Sequence, residues 1–154
     1  MSTPVPWTFP AARAWVKRST GNEPLGDASA SAGAAGTVLV VDDDPGILGM
    51  VAGVLELEGY AVRTAAGGDE ALAILERERP AVILLDMRMP VTDGWAVAAA
   101  MKDRGLKVPV VVMTAAQDAR GWAEEIGADG YVAKPFAIDD LLEAVQAALT
   151  PRQH

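Results

Sequence analysis

Short apolar runs recur at intervals from residue 37 onward, and this recurrence restricts the possible folds more than any other feature. The five runs are TVLVV at 37–41, YAVRT at 60–64, AVILL at 81–85, VPVVVM at 108–113 and GYVA at 130–133. Each is short enough for a strand, and most do not alternate between apolar and polar residues, which is typical of strands that are buried on both faces. An amphipathic helical pattern follows every run. The alternation predicts an α/β fold with a parallel sheet covered by helices on both faces.

The five predicted helices connect these strands and close the fold. They span residues 45–59, 69–79, 94–104, 117–126 and 138–149. Asp44 and Pro45 are typical of an N-cap and a first helical residue, so Asp44 is interpreted as a cap. The fourth helix contains Gly121, which lowers helix stability by about 1 kcal/mol relative to Ala. We therefore predict that this helix is marginal and that Trp122 marks a partner-contact surface, the alternative being that Trp122 packs into the core or lies on a fixed helix.

Composition removes several classes of function. The 154 residues carry a net charge of -8, with no Cys and one His, at position 154. Thiolate chemistry and disulfides are excluded, and a His-based metal site or catalytic triad has too few ligands. Phosphate neutralisation needs an excess of Lys and Arg, so the acidic balance predicts a protein that does not bind nucleic acid directly.

The charge divides the chain into two parts. Residues 1–36 carry three cations and two anions, a net charge of +1, which leaves -9 for the remainder. Four prolines and a Gly/Ala/Ser tract cannot bury much apolar surface. We predict a mostly disordered extension and linker at 1–36, a folded domain at 37–150 and a tail at 151–154. Within the extension, residues 11–18 are either an inert arm or a short helix that docks on a partner or a membrane.

No apolar segment has the length of a bilayer span or of a signal-peptide core. The longest, at 108–116, is interrupted by Pro109 and Thr114. The expectation is a cytoplasmic protein without membrane contact.

Polar residues stand where the predicted strands end. They are Asp42, Asp43, Asp86, Thr114 and Lys134. In open parallel sheets the functional site lies outside the carboxyl ends of the strands, so these side chains should converge. Carboxylates about 4 Å apart repel by roughly 4 kcal/mol at an effective dielectric near 20, so the three acids would either have raised pKa values or need a cation. An oxygen-only ligand set suits Mg2+, and a hydroxyl and an ammonium beside it suit phosphoryl transfer to an aspartate.

Four segments also carry a resemblance. They are VLVVDDDP at 38–45, LLDMRMPVTDGW at 84–95, VVVMTAA at 110–116 and ADGYVAKPF at 128–136. In this order they resemble the receiver domain of response regulators in two-component signalling, over residues 37 to about 150. The resemblance implies a doubly wound, flavodoxin-like sheet with strand order 2-1-3-4-5 and five helices. With no output domain evident after residue 150, we expect a stand-alone receiver of the CheY type.

The resemblance also implies roles at the acidic end of the sheet. Asp86 would accept a phosphoryl group, which makes the chain a signalling phosphoacceptor rather than an enzyme. Asp42 and Asp43, Asp43 more directly, would hold Mg2+ together with Asp86. The backbone carbonyl of Arg88 would be a further ligand.

Other residues would respond to the phosphoryl group. Thr114 and Lys134 would contact its oxygens, and Tyr131 would change rotamer on phosphorylation, although an aromatic on a last strand is also common in plain packing. The peptide bond before Pro135 would be cis.

The implied partners are a sensor histidine kinase or phosphotransfer protein, and a downstream protein of unknown identity. A homodimer through the fourth helix, fifth strand and fifth helix is a further expectation. Two other functions stay open from the sequence. One is a degenerate receiver that acts as a binding module. The other is a phosphatase similar to haloacid dehalogenases, in which Asp42, with Asp44 in a D-x-D pattern, would be the nucleophile.

Overall fold

The computed structural model of the protein describes residues 36–150. The predicted tail and all but the last residue of the predicted extension lie outside the described residues. The strands are β1 (Thr37–Val41), β2 (Ala61–Ala65), β3 (Val82–Asp86), β4 (Val110–Ala115) and β5 (Gly130–Lys134). The helices are α1 (Pro45–Leu57), α2 (Gly68–Arg77), α3 (Gly94–Asp103), α4 (Ala116–Ile126) and α5 (Ile138–Leu149).

The strands form one parallel sheet in the order β2-β1-β3-β4-β5. This confirms the predicted doubly wound fold with five helices. The register pairs Val41 of β1 with Leu85 of β3, and Asp86 with Met113 of β4. The carboxyl ends of the three central strands therefore lie side by side, where the ligand site of an open sheet is expected.

Apolar residues on successive strand positions feed two separate cores, because neighbouring side chains of a strand point to opposite faces. In β1, Val38 and Val40 face α1 and α5, whereas Leu39 and Val41 face α2, α3 and α4. All four are fully buried. The non-alternating runs thus reflect burial on both faces.

Strand ends differ from the prediction by one or two residues. The predicted strands stopped before their polar residues, but β3 includes Asp86, β4 includes Thr114 and β5 includes Lys134. Neighbouring strands hold these residues in register, with Thr114 opposite Ala133. Their backbones are therefore fixed by the sheet rather than by a loop.

The first helix begins as predicted. The carboxylate of Asp44 accepts hydrogen bonds from the backbone N–H groups of Gly46 at 2.8 Å and Ile47 at 3.3 Å, and Pro45 occupies the first turn. This confirms Asp44 as a cap. Over residues 36–150, no helix is long and apolar enough to cross a membrane.

The loop between β3 and α3 contains a three-residue turn at its tip. The N–H of Thr92 donates a hydrogen bond of 2.8 Å to the carbonyl of Pro90, and the central residue, Val91, has a φ of 69°. A γ-turn with positive φ is the rarer, strained form, and a β-branched residue tolerates it poorly. The side chain of Val91 is 96% exposed, so no packing compensates for the strain.

Val91→Gly should therefore stabilise the protein. Removal of the Cβ relieves a cost of about 1–2 kcal/mol, partly offset by the greater freedom of glycine in the unfolded chain, so we expect a gain of about 0.5–1 kcal/mol. Urea unfolding followed by circular dichroism measures it. Val91→Ala retains a Cβ and should gain less. Equal or lower stability of the glycine variant would contradict the assignment of strain.

Candidate functional site

Asp42 lies directly after β1 and is fully buried. One carboxylate oxygen accepts a hydrogen bond of 2.9 Å from the N–H of Asp44, and the other accepts one of 2.7 Å from the Lys134 ammonium. Both oxygens thus have a partner, as a buried charge requires. The ion pair joins β1 to β5 across the two strands that lie between them.

Asp86, at the end of β3, is 4% exposed. One of its oxygens accepts a hydrogen bond of 3.2 Å from the N–H of Arg88, and the other lies 3.5 Å from the ammonium of Lys134. Burial raises the pKa of Asp86 to about 6, and the nearby charge of Asp42 acts in the same direction. The Arg88 hydrogen bond and the charge of Lys134 offset part of that rise. Asp86 is therefore a carboxyl whose charged form is poorly compensated.

The ammonium of Lys134 is the positive charge next to both buried acids, Asp42 and Asp86. Burial lowers its pKa, but the hydrogen bond to Asp42 and the attraction of Asp86 and Asp42 outweigh this effect, so the pKa lies above its ordinary value. Lys134 is therefore charged at neutral pH. One ammonium faces two carboxylates, which leaves a net negative site that would attract a further cation.

The acids form a geometrically suitable cation site. Asp42, Asp43 and Asp86 each offer a carboxylate oxygen, and these oxygens lie within 4.8 Å of one another. Asp43 is exposed and makes no hydrogen bond or ion pair with the described residues. It is thus the acid with both oxygens available. Hard oxygen ligands with room for water fit Mg2+. The contact of the Arg88 carbonyl with a metal stays a prediction.

The remaining predicted residues lie on β4, on β5 and directly after β5. Thr114 is 2% exposed near the end of β4, and the peptide bond between Lys134 and Pro135 is cis. Tyr131 is on β5 and is 45% exposed, so its ring is not confined to the core. The roles of these residues toward a phosphoryl group stay predictions.

Trp122 is partly packed within its own domain, as in one of the two alternatives that the sequence left open. It packs edge to face on Trp95 of α3, with ring centroids 4.7 Å apart and 68° between the ring planes. Both rings lie half buried against the core beneath α2, α3 and α4. The guanidinium of Arg88 lies 5.9 Å from the centroid of the Trp122 ring. The structure therefore supports core packing for Trp122, and it connects α4 to the segment that follows Asp86.

Gly94 is a positioning residue that sequence reasoning missed. A Cβ at this position would lie 2.7 Å from Cα of Met87 and 2.8 Å from the carbonyl oxygen of Asp86. Its N–H donates a hydrogen bond of 3.2 Å to the carbonyl of Met87. The start of α3 thus lies directly against the backbone of Asp86. The Asp-Gly pair at 93–94 was a signal for a turn, but a close approach between backbones is visible in three dimensions alone.

Known proteins show similarity over the same part of the chain. Residues 38–146 match the family described as the response regulator receiver domain. The transcriptional regulatory protein PrrA of Mycobacterium tuberculosis is 43% identical over 117 residues, which cover 75% of this chain and 50% of PrrA. The response regulator MprA of Mycobacterium leprae is 37% identical over 114 residues, which cover 73% of this chain and 50% of MprA. The chain spans about half the length of these curated relatives.

Solved structures are similar over about three quarters of the chain. The chemotaxis protein CheY4 of Vibrio cholerae is 35% identical with a TM-score of 0.67, over 73% of this chain and 98% of CheY4. The receiver domain of NtrX from Brucella abortus is 34% identical with a TM-score of 0.68, over 73% of this chain and 97% of that domain.

The raised pKa of Asp86 predicts a pH-dependent effect on stability. The folded state favours the protonated carboxyl, so this contribution to stability is present below the unfolded pKa of about 4 and is lost as the pH rises through about 6. Asp86→Asn removes the penalised charge. Near pH 7.5 without divalent metal, it should raise the free energy of unfolding by about 3 kcal/mol, and the gain should vanish near pH 3.5. Urea unfolding at both pH values measures it.

The exposed acid Asp103 provides the control, since Asp103→Asn should change stability little at either pH. A gain for Asp86→Asn that is equal at both pH values would indicate packing rather than charge and would contradict the interpretation.

Proposed function

The chain belongs to the response regulator receiver domain family, and from this premise we propose that it accepts a phosphoryl group on Asp86 from a histidine kinase or phosphotransfer protein. The observation that carries the proposal is the position of Asp86. It is a buried carboxylate at the end of the central strand, with Lys134 3.5 Å away and two further acids beside it. An acidic cluster with one ammonium is a suitable environment for an aspartyl phosphate.

In the proposed transfer, a carboxylate oxygen of Asp86 attacks phosphorus while the bond from phosphorus to the donor imidazole nitrogen breaks. Lys134 is placed to pair with a phosphoryl oxygen as its contact with Asp86 changes. Asp43 and Asp86 would hold Mg2+, with Asp42 and the carbonyl of Arg88 beside them, and the ion would neutralise charge on the transferring group. The raised pKa of Asp86 favours its protonated form. A bound cation would favour the ionised form, which is the nucleophile.

The response would pass from the phosphoryl group to the surface of α4, β5 and α5. Thr114 is buried at the end of β4 and would move toward the phosphoryl oxygens. Tyr131 lies on the adjacent strand and is partly exposed, so it can adopt an inward or an outward rotamer. The phosphoryl group would shift the equilibrium between the two forms of this surface by the difference in its interaction free energy with each form.

The relatives bear on two of the expectations about downstream signalling. PrrA is named as a transcriptional regulatory protein, and both PrrA and MprA are about twice as long as the matched segment. They therefore do not support the expectations of a stand-alone receiver and of no contact with nucleic acid. What the family supports is phosphorylation-controlled signalling.

A homodimer through α4, β5 and α5 was another expectation. The charges of α5 are those of Asp139, Asp140 and Glu143, with no Lys or Arg between 138 and 149. Symmetric pairing would bring these acids together. We therefore expect any such dimer to strengthen as salt screens their repulsion.

One alternative function is disfavoured by a specific contact. A phosphatase with the D-x-D pattern would need the carboxylates of both Asp42 and Asp44 for chemistry. The carboxylate of Asp44 instead caps α1. The degenerate-receiver alternative has no missing acid to support it, because Asp42, Asp43 and Asp86 are all present in the cluster.

Phosphorylation can be tested with a small phosphodonor. Incubation of the full chain with acetyl phosphate or phosphoramidate and Mg2+ should add one phosphoryl group, measured by intact mass. Asp86→Asn should abolish the adduct. Asp43→Asn should require more Mg2+ for half-maximal labelling, because it removes a metal ligand.

Asp44→Asn is the matched control, because asparagine also caps helices and Asp44 lies outside the metal cluster. It should label like the wild type. Labelling that is independent of Mg2+ or that persists in Asp86→Asn would contradict the proposal. Turnover of a phosphomonoester that is lost in Asp42→Asn would indicate the phosphatase instead.

A further inference from the structure

Helices α1 and α5 lie on the same face of the sheet, and all their charged side chains are negative. Their apolar residues pack into a common core, separate from that of α2, α3 and α4. Residues 44–60 and 137–150 contain no Lys or Arg. The acids at or beside the ends of these helices and along α5 are Asp44, Glu56, Glu58, Asp139, Asp140 and Glu143. The charged side chains of these two helices are therefore all acidic, whereas the opposite helices carry both signs.

A groove of about 680 Å³ lies on this acidic face. It is lined by Glu58, Tyr60, Asp139, Leu142, Glu143 and Gln146. Among the described residues, no ion pair neutralises its three carboxylates. Leu142 and Tyr60 are partly buried and supply apolar surface. The groove thus combines negative charge with an apolar floor.

The same two helices also expose apolar side chains. Met50 and Leu57 of α1 are 43% and 88% exposed, and Ile138 of α5 is 50% exposed. These are three of the five large apolar side chains that the described residues expose. An occupant of this face would therefore need cationic groups together with apolar ones.

The described chain begins beside this face. A Cβ at Gly36 would lie 3.2 Å from Cβ of Ala81, directly before β3, and 4.0 Å from Cδ2 of Leu149, the last residue of α5. Residues 1–35 therefore join the domain at the start of β1, near the C-terminal end of α5. Any segment among them is tethered next to the groove.

We propose that residues 11–18, AARAWVKR, bind in the acidic groove between α1 and α5 of the same chain. Arg13, Lys17 and Arg18 match the carboxylates in charge, and Trp15 and Val16 provide apolar surface. The segment has a charge opposite to that of the groove, as electrostatic complementarity requires.

The tether permits this contact. A flexible linker as long as the segment between residue 18 and Gly36 would have a root-mean-square span of about 21–25 Å, at 5–6 Å per square root of residue number. Helix α5 is about 18 Å long at 1.5 Å per residue. The segment can thus reach any point along the groove, and a short tether gives an effective concentration in the millimolar range. A second copy of the domain is a poorer occupant, because it presents the same acidic face.

A spin label tests the proposal, because the chain contains no Cys. Ser19→Cys in the full chain carries one nitroxide beside the basic segment, and 15N spectra report the signal loss at each amide. Amides of α1 and α5 that border the groove should lose intensity, whereas those of α2 and α3 should not. High salt should restore the lost signals. The spectra also show that each variant is folded.

Charge reversal identifies the binding surface. Glu58→Lys with Glu143→Lys should restore the signals of α1 and α5. Asp103→Lys with Glu125→Lys changes the net charge equally on the opposite face and should leave the loss in place. Signal loss that is spread evenly, is centred on α2 and α3, or survives the groove substitutions would overturn the proposal.

A mixed sample separates contact within a chain from contact between chains. Protein at natural isotopic abundance that carries the nitroxide is mixed with 15N-labelled protein that lacks the nitroxide. The proposal expects no signal loss, and loss at α1 and α5 would show that a second copy is the occupant. No step of the test requires phosphorylation, so its failure would leave the proposed function standing.

Discussion

Lys134 and Asp42 form the contact on which the acidic end of the sheet depends. Their 2.7 Å ion pair joins residues 92 positions apart, and Asp42 is fully buried. Asp86 lies beside them, so two buried carboxylates share one ammonium. Loss of that ammonium would leave uncompensated buried charge, which typically costs about 3–5 kcal/mol. The sheet register places Lys134 of β5 at the carboxyl end of the sheet, beside Asp86. This placement is therefore what permits Asp86 to be a buried acid.

The segment after Asp86 is constrained from several sides. Gly94 lies directly against its backbone, and Val91 holds a positive φ at the loop tip. Arg88 reaches the ring of Trp122, which packs on Trp95. The segment that follows Asp86 is thus in contact with α4 through Arg88 and Trp122. The predicted marginal stability of α4 stays a prediction, and its packing through Trp122 opposes easy displacement.

Patterns that depend on neighbours in sequence predicted much of the structure. The alternation of strands and helices, the cap at Asp44 and the convergence of polar residues at strand ends follow from local chemistry and from the rules of parallel sheets. The packing of Trp122, the close approach at Gly94 and the acidic groove depend on distances between elements that no local pattern specifies. The γ-turn at Val91 runs against local preference, since valine rarely has a positive φ.

Asp86 is a buried carboxyl held beside Asp42, with Lys134 as their shared cation. The most direct measurement is a pH titration of the Asp86 carboxyl carbon by 13C NMR in the full chain without divalent metal. We predict a midpoint of about 6 and a higher midpoint in Lys134→Met, because the variant lacks the positive charge that lowers the pKa. A midpoint near the ordinary value of 3.8, unchanged in Lys134→Met, would contradict it.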